Sequence, residues 1–353
     1  MTDTAVRPTS GPPPEAPIDT VWYTRCPVPT ASGLAYHRGW LSEALGAHGL
    51  EVGILQDGPE ELRRHHLDHR LPGLVREGGN VPALAARAEG APTRLVGLTW
   101  IDEWQKILVR GDSGITGPAQ LRGQRVALPA WAPTRAASFP RAMSLHGYRQ
   151  ALGQADLTLD DVRFVEVPTL RGADRVLEPP SELSIFGLDR LTTGEVDAVY
   201  VKGAAAAEEA EAIGAVVAVD LDALPDRRLR VNNGAPRPLT VHQDLLDHHP
   251  EVVVDFLAES LRAADWAAGD PAGVRTILEN ETRSGPAGVD TAYAPGFHEA
   301  LHPDLSEERV ALLERQKAFL SQHGFLAADV DVAAWVAAEP LARAHERLTT
   351  PAP

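Results

Sequence analysis

Residues 117–128 read Gly-Pro-Ala-Gln-Leu-Arg-Gly-Gln-Arg-Val-Ala-Leu, and this stretch decides the fold class. A short helix that ends at the Arg122-Gly123 turn and leads directly into an apolar strand is typical of a helix that covers a buried sheet. Outward from it, apolar runs with the length of strands alternate with helical patterns along the first two thirds of the chain. This alternation predicts an α/β protein whose parallel sheets are covered on both faces.

The predicted strands are short apolar or β-branched runs at 20–24, 51–55, 94–98, 106–109, 126–128, 162–167, 198–201 and 215–219. The predicted helices have apolar residues on one face and lie at 33–48, 82–88, 136–154 and 183–193. The segment 57–79 is polar and rich in histidine, and no strand is predicted in it. From Leu239 onward the chain is expected to be mostly helical, at 241–247, 250–268, 273–279 and 307–324. We expect these last helices to pack back onto the first domain.

Composition excludes several classes of function. The 353 residues include 49 acidic and 33 basic side chains, a net charge of -16, which disfavours binding to nucleic acid or to an anionic membrane. No stretch approaches the length of a membrane span. A single cysteine excludes an intrachain disulfide and a thiolate-rich metal site. The proline-rich segment 1–17 is predicted to be a disordered tail, and without an export signal the predicted location is the cytoplasm.

The lone cysteine is the first candidate for chemistry. Cys26 follows the first predicted strand in the segment Tyr-Thr-Arg-Cys-Pro-Val-Pro, residues 23–29. Ligands of open α/β sheets bind beyond the carboxyl ends of strands, and the two prolines would hold the sulfur in a defined place. Thr24 supplies a hydroxyl two residues earlier. The alternative interpretation is that Cys26 is a small buried apolar residue.

Two further segments could serve that thiol. His65 and His69 are spaced four apart, which would suit a metal ion together with Asp68, although a histidine that works as an acid or base near the cysteine fits the pattern better. Residues 76–79, Arg-Glu-Gly-Gly, combine a guanidinium fork with glycines whose N–H groups could approach an anion closely. The alternative for this segment is a helix end with a surface arginine. The chain has no Walker A loop, no G-x-G-x-x-G after a strand, no G-x-S-x-G and no H-E-x-x-H.

Taken together, these segments resemble a known family. Residues 23–29 are similar to the cysteine loop of the 2′-hydroxybiphenyl-2-sulfinate desulfinase family, and residues 76–82, Arg-Glu-Gly-Gly-Asn-Val-Pro, are similar to its Arg-x-Gly-Gly-x-Ile-Pro segment. His66 stands ten residues before Arg76, at the spacing of that family's active-site histidine. The resemblance continues through 94–99, 109–116, 121–126, 194–200 and 312–320. The segments 121–126 and 194–198 also match a pattern that occurs in type II periplasmic binding proteins in general.

The resemblance implies a two-lobed, type II periplasmic-binding-protein-like α/β fold with a central cleft. Lobe 1 would combine residues 18–108 and 222–353, and lobe 2 would hold 109–221. It implies a desulfinase, a hydrolase of carbon–sulfur bonds that releases sulfite from an organic, aryl sulfinate without a cofactor or a metal. The only expected partner is that small organic anion, and the chain would be a monomer or a weak dimer.

The resemblance also implies roles for individual residues. Cys26 would be the reactive thiol and His66 would assist it, while the Arg76 guanidinium and the Gly79 N–H hold the sulfinate oxygens next to Gly78. Thr24 stands where the family has a serine, so its hydroxyl contact can survive. Two routes fit these groups: the neutral thiol protonates the ring carbon that bears sulfur, or the thiolate attacks sulfur to form a covalent thiosulfonate.

Three residues depart from the family and are predicted to bind substrate. Arg25 replaces a neutral neighbour of the cysteine, while Trp131 and Lys202 fall where cleft loops are expected. We therefore predict a smaller or more polar substrate, with a second charged group that could reach Lys202 or Arg135. Two alternatives remain open: another cysteine-dependent hydrolase or lyase that acts on a small organic anion, and a non-catalytic solute-binding protein for a sulfonate-like anion.

Overall fold

The computed structural model describes residues 18–168, 185–282 and 284–349. The tail predicted at 1–17 and the start of the helix predicted at 183–193 lie outside these residues. The described chain builds two five-stranded sheets, each covered by helices.

The first sheet has the order β2-β1-β3-β10-β4. Its strands are β1 (Thr20–Tyr23), β2 (Glu51–Ile54), β3 (Leu74–Glu77), β4 (Thr93–Thr99) and β10 (Arg237–His242). β1 lies parallel to both β2 and β3, while β10 runs antiparallel to β3 and β4. The carboxyl ends of β1 and β3 and the amino end of β10 therefore meet at one edge of the sheet.

The second sheet has the order β7-β6-β8-β5-β9. Its strands are β5 (Lys106–Arg110), β6 (Arg125–Pro129), β7 (Arg163–Val167), β8 (Ala198–Val201) and β9 (Ala215–Asp220). β6 lies parallel to β7 and β8, and β5 runs antiparallel to β8 and β9. Each sheet thus contains one strand of opposite direction, so the α/β class is confirmed, while the prediction of parallel sheets holds for four of the five strands in each sheet.

The α-helices of the described residues are α1 (Ala31–His37), α2 (Trp40–Gly46), α3 (Glu60–Arg63), α4 (His65–Asp68), α5 (Asn80–Ala88), α6 (Phe139–Gly153), α7 (Leu188–Thr192), α8 (Ala204–Ala212), α9 (Arg227–Arg230), α10 (Gln243–His248), α11 (Pro250–Gly269), α12 (Pro271–Thr282), α13 (Pro286–Ala292), α14 (Glu307–Gln322), α15 (Val332–Trp335) and α16 (Glu339–Thr349). Short 3₁₀ turns lie at Leu55–Asp57, Pro118–Leu121, Ala136–Ser138, Leu159–Asp161 and Phe297–Ala300. Among the described helices, none has the length and apolarity that a membrane crossing needs.

The helices of the last third cover the first sheet, as predicted. α11 packs against α1, α2 and α16, and its apolar face shares one buried cluster with Val21, Leu239 and Val241 of the sheet. A second cluster fills the other half around β5, β6 and β8. Each sheet therefore has its own core, as two separately packed halves require.

Two strands of the first sheet, β3 and β10, were not predicted from the sequence. β3 was assigned to the polar segment, and 241–247 was predicted as a helix although β10 extends to His242 and α10 begins only at Gln243. β3 buries both Arg76 and Glu77, and β10 begins with a buried arginine followed by Pro238. Buried charges and an internal proline hide the apolar pattern by which strands are found.

The chain passes between the two sheets in two segments that frame the site. Residues 100–105 lead from β4 to β5, and residues 221–236 lead from β9 back to β10. The second segment is fastened by Asn80 at the start of α5, whose side chain donates to the Asn232 and Pro236 carbonyls at 2.7 and 2.9 Å. The edge where β1, β3 and β10 meet therefore lies beside both segments.

Candidate active site

The loop after β1 fixes the thiol. The Val28 N–H donates to the Cys26 carbonyl at 2.8 Å, and Thr30 then caps α1 by accepting from the Gly33 N–H at 3.1 Å. The Cys26 side chain is buried, and its Sγ donates to the Glu77 carbonyl oxygen at 3.2 Å. The thiol is thus held against the last residue of β3.

The environment of Cys26 keeps the sulfur protonated. Burial raises the pKa of the Cys26 thiol above its ordinary value, and the guanidiniums of Arg237 and Arg76 oppose that rise only in part. A neutral thiol with two cations beside it can give up a proton to a reacting group, since the thiolate that forms is then stabilised where it stands.

Arg76 enters the site because two glycines follow it. A Cβ on Gly78 would lie 2.6 Å from the Arg76 Cζ, and a Cβ on Gly79 would lie 2.3 Å from the Asn233 Nδ2. The guanidinium donates through Nη1 to the Gly79 carbonyl at 3.0 Å. Burial lowers the pKa of Arg76 to about 10, so the side chain remains a cation at neutral pH.

Several buried donors and acceptors around the thiol are left without partners. The Arg76 Nε, the Thr24 Oγ1 and the His66 Nδ1 have no hydrogen-bond partner within the described chain. In the same residues, nothing accepts the N–H of Gly79, which precedes the nine-residue helix α5. Buried polar groups are nearly always paired, and each unpaired one costs about 1–3 kcal/mol. A cluster of them beside one cysteine therefore points to a bound ligand with oxygen atoms.

The three histidines of residues 65–69 have different surroundings. His65 pairs with Asp68 at 2.7 Å, and His69 is buried with its Nε2 3.1 Å from the His66 carbonyl. His66 is half-buried, and burial together with the charge of Arg76 lowers its pKa to about 3, so its ring is neutral at neutral pH. The Nδ1 atoms of His66 and His69 are both buried without a hydrogen-bond partner in the described chain. Within the described residues no group of three or more His, Cys, Asp or Glu side chains has the arrangement of a metal site.

Sequence reasoning missed Arg237. It is the first residue of β10, it is buried, and its guanidinium lies close enough to Cys26 to act on the thiol more strongly than Arg76 does. One of its nitrogens donates to the Glu103 carboxylate, while its Nε is buried without a partner in the described chain. Its segment, Pro-Arg-Pro at 236–238, has no apolar strand pattern, and only the sheet register brings it to the thiol.

Three residues predicted to bind substrate have other neighbours in the structure. Arg25 pairs with Asp57 at 2.7 Å and lies 3.9 Å from Glu281, so its charge is already matched. The Nζ of Lys202 donates to the Glu103 carboxylate.

Trp131, which is 46% exposed, lies against Phe325 with ring centroids 4.5 Å apart. Among the described residues, the Trp131 ring contacts Phe325 and Arg141, and no ring or cation contact joins it to Cys26. Its predicted contact with the substrate stays a prediction.

Comparison with known proteins shows that the chain is similar to a desulfinase. The 2′-hydroxybiphenyl-2-sulfinate desulfinase of Rhodococcus erythropolis is 29% identical over an alignment of 355 positions that covers 91% of this chain and 92% of the relative. The crystal structure of the desulfurization enzyme DSZB superposes with a TM-score of 0.76 at 28% identity, over 94% of this chain and 99% of that one. The chain is therefore similar to 2′-hydroxybiphenyl-2-sulfinate desulfinases over nine tenths of its length. No family model matches the sequence.

Two further structures bear on the site and on the fold. A cysteine-to-serine mutant of DSZB in complex with biphenyl-2-sulfinic acid also superposes with a TM-score of 0.76, at 26% identity over 93% of this chain and 99% of that one. The periplasmic aliphatic sulphonate binding protein SsuA from Escherichia coli superposes with a TM-score of 0.65 at 14% identity, over 91% of this chain and 92% of that one. This second likeness concerns the fold alone, and it confirms the predicted two-lobed, type II periplasmic-binding-protein-like architecture.

Proposed function

We propose that this protein is a cofactor-free, cysteine-dependent desulfinase that cleaves the carbon–sulfur bond of an aromatic sulfinate and releases sulfite. The observation that carries the proposal is a buried, protonated thiol beside a buried arginine whose Nε–H has no partner in the described chain. The similarity to a desulfinase over nine tenths of the chain supports the reaction type.

A sulfinate fits the unpartnered donors around Cys26. Its headgroup has two oxygens and a single negative charge, so the Arg76 Nε–H and the Gly79 N–H can each donate to it. The Thr24 hydroxyl, buried and unpartnered, can supply another donor. The start of α5 adds the favourable end of a helix dipole.

The neutral thiol favours the route in which Cys26 acts as an acid. The ring carbon takes the proton of Cys26, the carbon–sulfur bond breaks, and its electron pair forms the new C–H bond. Sulfur dioxide leaves and adds water to give bisulfite and a proton, and the thiolate is reprotonated. The net reaction is sulfinate plus water to arene plus bisulfite.

His66 assists that route without donating the proton. With a pKa lowered to about 3 by burial and by Arg76, its ring is neutral during turnover at neutral pH. A neutral imidazole can hold the water that captures sulfur dioxide, because its Nδ1 is free to form one hydrogen bond.

The test is sulfite release from a panel of sulfinates by wild-type protein and by Cys26→Ser. The panel contains 2′-hydroxybiphenyl-2-sulfinate, biphenyl-2-sulfinate and smaller, more polar sulfinates. The variant should lose about 100- to 10,000-fold in turnover, since a hydroxyl is a much weaker acid. Equal release by both proteins would remove the thiol from the chemistry. Tight sulfonate binding without any turnover would instead identify a solute-binding protein.

The two routes differ in what can be trapped on the protein. Attack on sulfur would leave a thiosulfonate on Cys26, the chain's single cysteine, and intact-mass spectra of protein quenched during turnover would show it. Proton transfer leaves no adduct. We expect none, and a sulfonyl adduct that forms and decays at the turnover rate would refute the acid role.

We propose that the protein works in the cytoplasm, where a free thiol stays reduced. Fractionation of the host cell would test the location, with activity in the periplasmic fraction as the contrary result. The monomer or weak dimer stays a prediction, which sedimentation of the purified chain would test.

A further inference from the structure

A buried chain of three charges runs from the thiol into the second sheet. Arg237 begins β10 and donates to Glu103, and Lys202, which follows β8, donates to the other oxygen of the same carboxylate. Glu103 is 2% exposed and lies in the segment between the two sheets. Burial opposes its ionisation, but Lys202 and Arg237 outweigh that effect and lower the pKa of Glu103 below its ordinary value.

A glycine makes this arrangement possible. A Cβ on Gly234 would lie 2.0 Å from the Glu103 Oε1 and 3.1 Å from the Arg237 Nη2. The segment 232–236 therefore passes so close to the ion pair that only glycine fits there. Such close packing fixes the direction of the Arg237 guanidinium.

Glu103 accepts a hydrogen bond from only one of the nitrogens of the Arg237 guanidinium. The carboxylate accepts from Nη2, and the Nε–H is buried with no partner in the described chain. That same guanidinium is near Cys26. A buried charged donor without an acceptor is costly, so the site is built to receive one.

We propose that Arg237 is the second guanidinium of the substrate-binding site, that Glu103 and Lys202 position it, and that it forms with Arg76 a clamp for one singly charged headgroup. This inference rests on the proposed desulfinase function and names the charge of its substrate.

The single negative charge expected on the substrate headgroup follows from the charges of the side chains that surround it. Among the described residues around the thiol, Arg76, Arg237 and Lys202 carry three positive charges, and Glu77 and Glu103 carry two negative ones. The Glu77 carboxylate accepts three hydrogen bonds, two from Ser32 and one from Thr99.

The neighbouring pairs Arg309–Asp304 and Arg230–Asp102 are each neutral. Within the set of Arg76, Arg237, Lys202, Glu77 and Glu103, one positive charge is left over, and one sulfinate neutralises it.

The clamp also changes the expected substrate. Because Lys202 is engaged by Glu103, it is not available for a second charged group on the organic part. We therefore expect a sulfinate with a single negative charge. A substrate with a further carboxylate or sulfonate should bind more weakly than its neutral counterpart.

The first test measures binding without turnover. Cys26 is the only cysteine, so the rate of its alkylation by iodoacetamide, and the protection given by biphenyl-2-sulfonate, reports occupancy of the site. Arg237→Met should raise the Kd of the sulfonate and the KM of the sulfinate by about 10- to 100-fold, and Arg237→Lys should restore part of the loss. Arg163→Met, at an exposed position of β7, is the control and should change neither. A Kd within twofold of wild type in Arg237→Met would overturn the clamp.

The second test separates charge balance from simple support of the fold. Glu103→Gln keeps the shape of the side chain but leaves two positive charges in excess. It should improve the binding of biphenyl-2-phosphonate, as a dianion, relative to biphenyl-2-sulfonate by about tenfold or more. An unchanged ratio in folded Glu103→Gln protein would refute the charge count. If Arg237→Met fails to fold, the double variant with Glu103→Gln removes the stranded carboxylate and is measured instead.

The outcomes also separate this inference from the proposed function. If no sulfinate is turned over but Arg237→Met still abolishes protection by the sulfonate, the clamp stands and the desulfinase assignment fails. If sulfite is released and Arg237→Met alters neither Kd nor KM, the assignment stands and the clamp fails.

Discussion

Gly78→Ala is the sharpest test of how the backbone places the anion-binding arginine. The added Cβ would lie 2.6 Å from the Arg76 Cζ and 2.7 Å from its Nη1. Ordinary contact begins at 3.4 Å, so the guanidinium has to retreat by about 0.8 Å. Arg76 is 2% exposed and enclosed, and it cannot simply swing into solvent. Its hydrogen bond to the Gly79 carbonyl at 3.0 Å will be strained or lost.

The expected cost follows from that displacement. A misplacement of this size in a binding group costs about 100-fold in kcat/KM, or about 2.7 kcal/mol of transition-state stabilisation. Sulfite release at several sulfinate concentrations measures it, with the thermal midpoint as the check on folding. Gly269→Ala is the matched control, because a Cβ at that helix end meets nothing within 4 Å. A folded Gly78→Ala protein with kcat/KM within twofold of wild type would show that Arg76 does not hold the substrate.

Three other outcomes can be measured. His146 stacks on Phe319 with ring centroids 4.0 Å apart, and burial lowers its pKa to about 3. Because His146 becomes protonated below about pH 6.5 in the unfolded chain but not in the folded one, the free energy of unfolding should fall as the pH drops below that value. His146→Gln should reduce the slope of the urea-measured unfolding free energy against pH by up to about 1.4 kcal/mol per pH unit. An unaltered slope would contradict this. Asn80→Ala strands the carbonyls that Asn80 binds and should lower the unfolding free energy by about 3 kcal/mol, whereas a loss below about 1 would show that water replaces the amide. Gly234→Ala should displace Glu103 and raise KM more than it lowers kcat, and an unchanged KM would oppose the positioning role.

The sequence singled out the candidate site more readily than the sheet that carries it. The cysteine loop and the Arg-Gly-Gly segment are local patterns that can be recognised in the sequence, and the roles of Cys26, Arg76 and Gly79 stay predictions. β3 and β10 were not found, because each buries charged side chains that the apolar pattern of a strand excludes. Local rules fail most often where function needs polar groups in the interior.

The partner of each charge could not be predicted either. Arg25 stands next to the cysteine in sequence, yet it pairs with Asp57, while Arg237 is more than 200 residues away and acts on the thiol. Contacts of this kind depend on strand register and on the passage of the chain between the two sheets. One amino-acid sequence taken by itself carries no signal for such contacts.

The carboxylate of Glu103 has a consequence for how the molecule moves. Cations from both halves hold it, Arg237 from the first sheet and Lys202 from the second. Any swing that parted the halves would have to pull a cation away from it in a poorly hydrated interior. We therefore expect the two halves to stay in contact at Glu103 when no substrate is bound, so that substrate enters from the edge of the cleft without the halves moving apart.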